Sequence, residues 1–376
     1  MKNLYLVQVA DKYGPNSFLP IAISYQWMYA STSKLVKENF QVPDVLIEKK
    51  SPKQYVEDME HEPHVMMLSS YVWNFEYNKE LAKRTKEKYP NCLTITGGPH
   101  VDKRDKEFFE KYPMFDIAVM GEGENASREI LKRYLKGENY NDIPHVFPKG
   151  GELCPLPTRV QDLNIIPSPI LTGFYDEIME RVEKEHGPQM WQVTYETLRG
   201  CPYKCTFCDI GDDYWQKIKM FDMERVKAEI DWMADRKIEY VAVCDSNWGL
   251  MPRDVDITEY VIKTKQEKAI IKNYNLFCYI DRNKKQIALT KKNKLGFLND
   301  FYLPPMQLAT HEQKIKSWKY HSKFNNYISN KKLNINLYYK FTLKNPSNCK
   351  WFSLRKNYEF IPSFTKKIFK HISNLN

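Results

Sequence analysis

Arg199-Gly200-Cys201-Pro202-Tyr203-Lys204-Cys205-Thr206-Phe207-Cys208-Asp209 places three thiols on one short stretch, spaced C-x3-C-x2-C. Thiolates are the soft ligands that iron–sulfur clusters and zinc select. Three protein ligands leave one position on the metal open, which distinguishes a reactive site from a structural one. A structural zinc site calls for a fourth Cys or His close by, and none lies between Tyr195 and Met220. Asp209 is the one adjacent residue that could complete a zinc set with oxygen. A disulfide reading leaves one of the three cysteines over.

The segments around this stretch read as strand, loop, helix and strand. Trp191 to Thr197 is rich in β-branched and aromatic residues and predicts a strand. A helix follows from Asp222, with Val226, Ile230 and Met233 at helical spacing and acidic residues in its first turn. Glu239 to Cys244 predicts a second buried strand, ending in Asp245-Ser246-Asn247-Trp248-Gly249. Parallel barrels place their chemistry at such carboxyl ends; polar residues closing a strand are the plainer alternative.

C-x3-C-x-aromatic-C in this setting resembles the cluster loop of the radical S-adenosylmethionine (SAM) enzymes, and Arg199, Gly200 and Pro202 match common variants of it. The resemblance implies a [4Fe–4S] cluster held by Cys201, Cys205 and Cys208, with SAM on the fourth iron. It implies reductive cleavage of SAM to a 5′-deoxyadenosyl radical and a one-electron donor of the flavodoxin or ferredoxin type. Phe207 falls at the position that packs near adenine in the family. Asp245 and Asn247 fall at the end of the second strand, which meets the methionine end of SAM, although the family's usual Gly-Gly-Glu is replaced here.

Residues 1–140 alternate strand and helix, which predicts an open, doubly wound parallel α/β sheet. Strands are expected at Leu4 to Ala10, Asp44 to Ile47, His64 to Ser69, Cys92 to Thr96 and Asp116 to Met120. Helices are expected at Ile21 to Asn39, Lys53 to Glu60, Asn78 to Lys88, Asp105 to Lys111 and Ala126 to Lys136. Ligands of such sheets bind beyond the strands' carboxyl ends. Those ends carry Ser69 and Ser70, Gly97 and Gly98, and Gly121-Glu122-Gly123-Glu124. Each alone reads equally well as turn chemistry.

In this order ahead of a cluster loop, they resemble the cobalamin-binding domain that precedes the barrel in one branch of the radical SAM superfamily. The likeness extends to about residue 271. It implies a Rossmann-like domain followed by a radical SAM (β/α) barrel, of which only the first half is recognisable here, with Ser69, Ser70, Gly97 and Gly98 accommodating cobalamin's nucleotide tail and Gly121 and Gly123 in the loop after the last strand. The D-x-H-x-x-G motif, whose histidine ligates cobalt, is replaced by Asp11-Lys12-Tyr13-Gly14, so no protein ligand to cobalt is expected there. Some members keep this domain without cobalamin.

Prolines 144, 148, 155, 157, 167 and 169 mark residues 141–190 as a linker and approach segment. The radical SAM core is expected over 191–271. From 272 to 376 the composition changes: 19 Lys, 2 Arg and 15 Asn stand against 4 acidic residues, a charge of +17, whereas the whole 376-residue chain carries +10. Gly296 is the single glycine of this tail, and no strand–helix alternation is evident. A basic nucleic-acid-binding extension, an irregular completion of the barrel, and a change of reading frame near 272 are the three explanations.

No apolar run approaches the ~18 residues that span a bilayer, and the first ten residues read as a strand rather than a signal peptide. Cys92, Cys154, Cys244, Cys278 and Cys349 form no framework of pairs, which predicts a reducing, cytoplasmic location. The expected function is that of a radical SAM enzyme, with cobalamin-dependent methylation of an unactivated carbon as the leading reaction. Cobalamin-free methylthiolation or rearrangement is the alternative within enzymes, and a catalytically silent remnant is the alternative outside them. No residue is singled out as catalytic.

Overall fold

The computed structural model describes residues 1–12, 16–101, 105–154, 159–208, 210–211, 213–238, 240–268, 270–281, 286–289, 306–308, 319–328, 331–342, 349–353, 365 and 368–369. It divides into two compact units, Met1–Val261 and Ile262–Asn376.

Strand β1 (Lys2–Ala10) is the centre of the first unit. It is apolar on both faces. Leu4 and Leu6 face one layer of the core, while Tyr5, Val7 and Val9 face the other. That is the pattern of a parallel strand covered by helices on both sides. The chain continues through β2 (Asn16–Leu19), α1 (Ile21–Ala30), α2 (Lys34–Asn39), β3 (Phe40–Gln41), β4 (Val45–Glu48) and α3 (Pro52–Glu57). It then runs through β5 (Val65–Ser69), α4 (Phe75–Lys88), β6 (Leu93–Gly97), α5 (Phe108–Lys111), β7 (Ile117–Val119), α6 (Glu124–Lys136) and β8 (Val146–Pro148). β3 and β4 pair with the same side of β1, and the path runs β3-β1-β5-β6-β7-β8. All pairings are parallel except β7 with β8.

The doubly wound parallel sheet is as expected, with two differences. The stretch read as one helix from Ile21 to Asn39 breaks at Ser31-Thr32-Ser33. Ser31 and Thr32 donate side-chain hydrogen bonds to the carbonyls of Met28 and Tyr29, ending α1. The Pro-rich segment also contributes an edge strand, β8, with Pro148 at its last position, where a missing N–H is tolerated.

The core facing Leu4 and Leu6 runs on without a break into α7 (Phe174–His186), β9 (Met190–Tyr195) and α8 (Met223–Asp235). Between β9 and α8, β10 (Leu198–Arg199) pairs antiparallel with β11 (Lys219–Met220). After α8, β12 (Tyr240–Val243) lies parallel to β9, the expected β-α-β unit. The other side of β9 is taken by β2, also parallel, with Asn16 opposite Met190 and Leu19 opposite Val193. The chain just after β1 therefore becomes part of the second sheet. β12 is an edge strand among the described residues, with Tyr240, Val241 and Val243 exposed. Helix α9 (Arg253–Lys268) follows.

The second unit is strand-rich. β13 (Ile270–Asp281), β14 (Gln286–Leu289), β15 (Met306–Leu308), β16 (Lys319–Ile328), β17 (Lys331–Phe341) and β18 (Lys350–Ser353) form one mixed sheet. β13 and β17 are parallel, and the other pairings are antiparallel. Cys278, Ile280, Ile287, Leu289, Ile335 and Leu337 are buried in it. Its Ile-, Tyr- and Phe-rich runs suit pleated pairing despite their charge. Among the described residues, its strands are not separated by helices in β-α alternation.

Candidate functional site

Two regions of the first unit carry the residues singled out from sequence. The first is the carboxyl edge of the parallel sheet. Strand order reverses between β1 and β5, and open α/β sheets bind ligands at that switch point. Ser69 ends β5 there, Ser70 follows it, and both are buried. The Ser70 hydroxyl shares a hydrogen bond with Thr96 Oγ1 at 2.8 Å and accepts one from Asn78 Nδ2 at 3.0 Å. Asn74 bridges the reversal, donating to the carbonyls of Val9 and Ser69. These polar groups fasten the strand ends. Above them Tyr71 and Trp73 stack at 4.6 Å between ring centroids, 10° from parallel, and Trp73 is 55% exposed with Val72 beside it at 74%. An exposed Trp73 ring stacked on the half-buried Tyr71 at a switch point suits a large planar ligand.

The glycines of this edge are explained by the chain itself. A Cβ on Gly98, where φ is +116°, would meet the Ser70 carbonyl oxygen at 2.6 Å, and one on Gly97 would meet that of Val119 at 3.1 Å. Gly121 (φ +67°) sits against the Tyr214 hydroxyl, and Gly123 against the Gln26 amide. All four permit close approach of protein to protein.

The second region is the loop carrying the thiols. It leaves the sheet at β10 and returns at β11, so the hairpin pairing of Leu198 with Met220 and Arg199 with Lys219 closes its base. Cys201 N–H donates to the Trp215 carbonyl at 2.9 Å across that base. Gly200 (φ +108°) lies so close to the return leg that a Cβ would meet the carbonyl oxygens of Lys217 and Trp215 at 2.6 and 2.7 Å. Only glycine fits before Cys201. Cys201 is buried, whereas Cys205 and Cys208 are exposed. The loop turns through Cys208 N–H to the Cys205 carbonyl, then Gly211 N–H to that of Cys208. Phe207 is 90% exposed and packs on nothing described.

Three thiols with no competing histidine form a donor set of the kind iron–sulfur clusters use. Among the described residues, no three His, Cys, Asp or Glu side chains are already gathered as a metal-binding group. The loop supplies the donors in chemistry and sequence, and they are not drawn together. Asp209, the alternative oxygen donor, lies outside the described residues, as do Tyr13 and Gly14 of the early loop.

Of the two residues expected at the end of β12, the structure brings only Asn247 to the thiols, its Nδ2 donating to Cys201 Sγ at 2.9 Å. Asp245 turns instead beneath the loop. Its carboxylate accepts from Thr197 N–H at 2.8 Å, Leu198 N–H at 3.2 Å and the Thr197 hydroxyl at 2.5 Å. Burial pushes its carboxyl above the ordinary carboxylate value, against the pull of those three donors. Asp245 anchors the start of the cluster loop, and its oxygens are occupied by the chain.

Sequence reading missed the ionic group between the two regions. Arg159 Nε donates to Glu122 Oε1 at 3.1 Å, and Val160 N–H to Glu122 Oε2 at 2.7 Å. Arg199 Nη2 reaches Glu124 Oε1 at 2.7 Å, and its Nε donates to Glu196 Oε2 at 2.8 Å. The side chains of Arg159, Glu122, Arg199 and Glu124 are all less than 10% exposed. Burial pushes the Glu196 carboxyl up, with Arg199 opposing. Burial also works against the Arg199 charge, but Glu124 and Glu196 more than offset it. Glu124 Oε2 and Arg159 Nη2 have no hydrogen-bond partner among the described residues.

Comparison with known proteins agrees with this architecture. The B12 binding domain family matches residues 22–131. The cobalamin-dependent radical SAM methyltransferase TokK of Streptomyces tokunonensis is 38% identical over 256 residues, which are 66% of this chain and 37% of that protein. The 2-(S-pantetheinyl)-carbapenam-3-carboxylate methyltransferase of Streptantibioticus cattleyicolor is 36% identical over 253 residues, 64% of this chain and 35% of the relative. The chain thus spans little more than a third of the length of these two relatives. The radical SAM methyltransferase TsrM from Kitasatospora setae, solved with tryptophan and a SAM analogue, shares the fold with a TM-score of 0.51 at 16% identity, over 74% of this chain and 54% of that one. By its motif, its sheet and these likenesses, the chain is a radical SAM protein with an amino-terminal domain of the B12-binding type.

Proposed function

We propose that this chain belongs to a cobalamin-dependent radical SAM enzyme that methylates an unactivated carbon. The observation that carries the reading is the joining of two sites in one unit: a three-thiol loop closed by β10 and β11, and the switch-point end of the parallel sheet, where an exposed Trp73 stacks on Tyr71. Two relatives of 36% and 38% identity, one named as cobalamin-dependent and both as methyltransferases, support it. Bound, a [4Fe–4S] cluster would supply the electron that cleaves SAM, and a methylated corrinoid would supply the methyl group.

The chain's own residues have defined tasks in this reading. Cys201, Cys205 and Cys208 hold the cluster, and Asn247 hydrogen-bonds the buried member of the set. Phe207, between Cys205 and Cys208, would offer its exposed ring to the adenine of SAM. Tyr71 and Trp73 present a flat apolar face to the corrin, and Ser69, Ser70, Gly97 and Gly98 shape the crevice floor. Gly121 and Gly123 belong to the wall shared with the cluster loop. The corrinoid part occupies 1–140, a connecting segment 141–190 and the radical SAM core 191–271. A flavodoxin- or ferredoxin-type donor would reach the cluster through the exposed loop. Among the described residues no helix is long and apolar enough to cross a membrane. All eight cysteines are free, as the cytoplasm would keep them.

Anaerobic incubation with SAM, a low-potential reductant and hydroxocobalamin tests the reading. It predicts 5′-deoxyadenosine and S-adenosylhomocysteine together, the first from reductive cleavage of SAM and the second from transfer of SAM's methyl group to the reduced corrinoid. The first product alone would favour the cobalamin-free alternative, and neither product would overturn the proposal.

A further inference from the structure

Gly121-Glu122-Gly123-Glu124 stands at the carboxyl end of β7, where a ligand-facing loop is expected, yet both carboxylates engage the chain itself. Glu122 takes Arg159 and the backbone N–H of Val160. Arg159 in turn donates to the carbonyls of Lys217 at 2.5 Å and Tyr214 at 3.5 Å, on the return leg of the cluster loop. Its guanidinium lies over the Trp215 ring, 5.1 Å from the centroid. Glu122 N–H donates to the Tyr214 hydroxyl at 3.1 Å. Glu124 takes Arg199, two residues before Cys201 on the outgoing leg. The loop that carries the thiols is therefore gripped on both legs by one loop of the neighbouring sheet.

The geometry points to Glu122 and Glu124 as positioning residues. Through Arg159 and Arg199 they fix where the three thiols stand relative to the carboxyl edge of the parallel sheet. This rests on reading Cys201, Cys205 and Cys208 as the cluster ligands. Buried ion pairs add little net stability, because desolvation offsets most of their attraction, but they are directional. Arg199 fixes two carboxylates at once through its planar fork, which an ammonium could not reproduce. A methyl group carried at one site has to meet a radical made beside the other, so their spacing is a condition of the chemistry. Gly121 is part of the same device, since a side chain there would push out Tyr214.

The test compares the full chain with Glu124→Ala, Glu124→Gln, Arg199→Lys and the apolar pair Glu124→Leu/Arg199→Met. Amide hydrogen exchange is first followed in iron-free protein. The proposal predicts that Glu124→Ala and Arg199→Lys speed exchange at Cys201, whose N–H crosses the loop base, by about 10-fold or more. Amides of β5 and β6 should keep their wild-type rates, showing an intact fold. After anaerobic reconstitution, Glu124→Ala should retain iron about 10-fold less tightly and alter the paramagnetic resonance of the reduced cluster on adding SAM. Hydroxocobalamin retention should be unchanged. Glu124→Gln, which keeps an acceptor, should recover most of both effects. The apolar pair, which also leaves Glu196 without its Arg199 partner, should be less stable than wild type, keep wild-type exchange in β5 and β6, and still misplace the loop.

Loss of corrinoid with iron and exchange unchanged would show that the loop faces the ligand and overturn the proposal. Wild-type exchange at Cys201 in every variant would overturn it as well. If wild-type protein takes up no iron, the functional reading fails, while the exchange data alone still decide whether Glu122 and Glu124 seat the loop.

Discussion

Asp245 separates an anchor from a cofactor ligand in a way that can be weighed. Asp245 is 9% exposed, and its carboxylate satisfies two backbone N–H groups and one hydroxyl at the entry to the three-thiol loop. Asp245→Ala leaves the N–H groups of Thr197 and Leu198 buried without acceptors. Each such group costs about 1–3 kcal/mol, so the substitution should remove about 2–6 kcal/mol from a total that is typically about 5–15 kcal/mol. Asp245→Asn keeps an oxygen for the two N–H groups, and its amide can donate to the Thr197 hydroxyl. Its cost should stay within about 1 kcal/mol. Urea unfolding of the iron-free chain, followed by circular dichroism, reads the difference. At a slope of about 3 kcal/mol/M, the Ala variant should lose about 0.7–2 M of midpoint and the Asn variant about 0.3 M or less. SAM affinity after reconstitution should be near normal in Asp245→Asn. An Ala variant as stable as wild type, or an Asn variant of normal stability that no longer binds SAM, would refute the anchoring argument.

Two further outcomes follow from single contacts. Asn247 Nδ2 donates to Cys201 Sγ, and a hydrogen bond to a ligating sulfur favours the reduced, more negative cluster. Asn247→Leu should therefore lower the cluster midpoint in a redox titration by about 40–60 mV, equivalent to roughly 1–1.4 kcal/mol for one electron; an unchanged or raised midpoint contradicts this. His64, far from the thiols, accepts a hydrogen bond from Asn3 N–H through Nδ1 at 3.1 Å. Burial and then Lys2 hold its pKa below the ordinary histidine value of 6.5. Just below pH 6.5 the unfolded chain binds more protons at this residue than the folded chain. Its contribution to stability is thus present above 6.5 and is lost as the pH falls towards the lowered folded value. Urea midpoints measured between about pH 5 and 7.5 should decline on the acid side less steeply in His64→Gln than in wild type; parallel curves would remove His64 from the account.

The parallel sheet was legible because its strands are short apolar runs separated by amphipathic helices. The thiol loop was legible because its spacing is local. What escaped sequence reading depends on contacts between distant segments. β2 is four residues long and gains its identity only by pairing with Met190 to Val193. Arg159 lies in a Pro-rich stretch that looks like a linker, and nothing local marks it as the partner of Glu122, 37 residues upstream. The carboxylates of Glu122, Glu124 and Asp245 are visible as residues in sequence, but only the fold shows that they hold the chain. The glycines carried the opposite lesson. Gly97 and Gly98 look like room left for a ligand, and the structure fills that room with the carbonyls of Val119 and Ser70. The tail's strands were masked by their dense Lys and Asn content and by the search for strand–helix units, although β17 alternates apolar and polar residues from Leu333 to Leu337.

Metal content is the most direct test of the proposal that this chain holds two cofactors. Protein reconstituted anaerobically with iron, sulfide and hydroxocobalamin, then passed through a desalting column, should retain about four iron atoms and one cobalt per chain. Replacing Cys201, Cys205 or Cys208 by Ala should remove the iron and leave the cobalt, whereas Cys92→Ala should change neither. Wild-type protein that emerges without iron, or that loses iron equally on replacing Cys92, would contradict the cluster assignment. Wild-type protein that holds iron but no cobalt would contradict the pairing of the two sites.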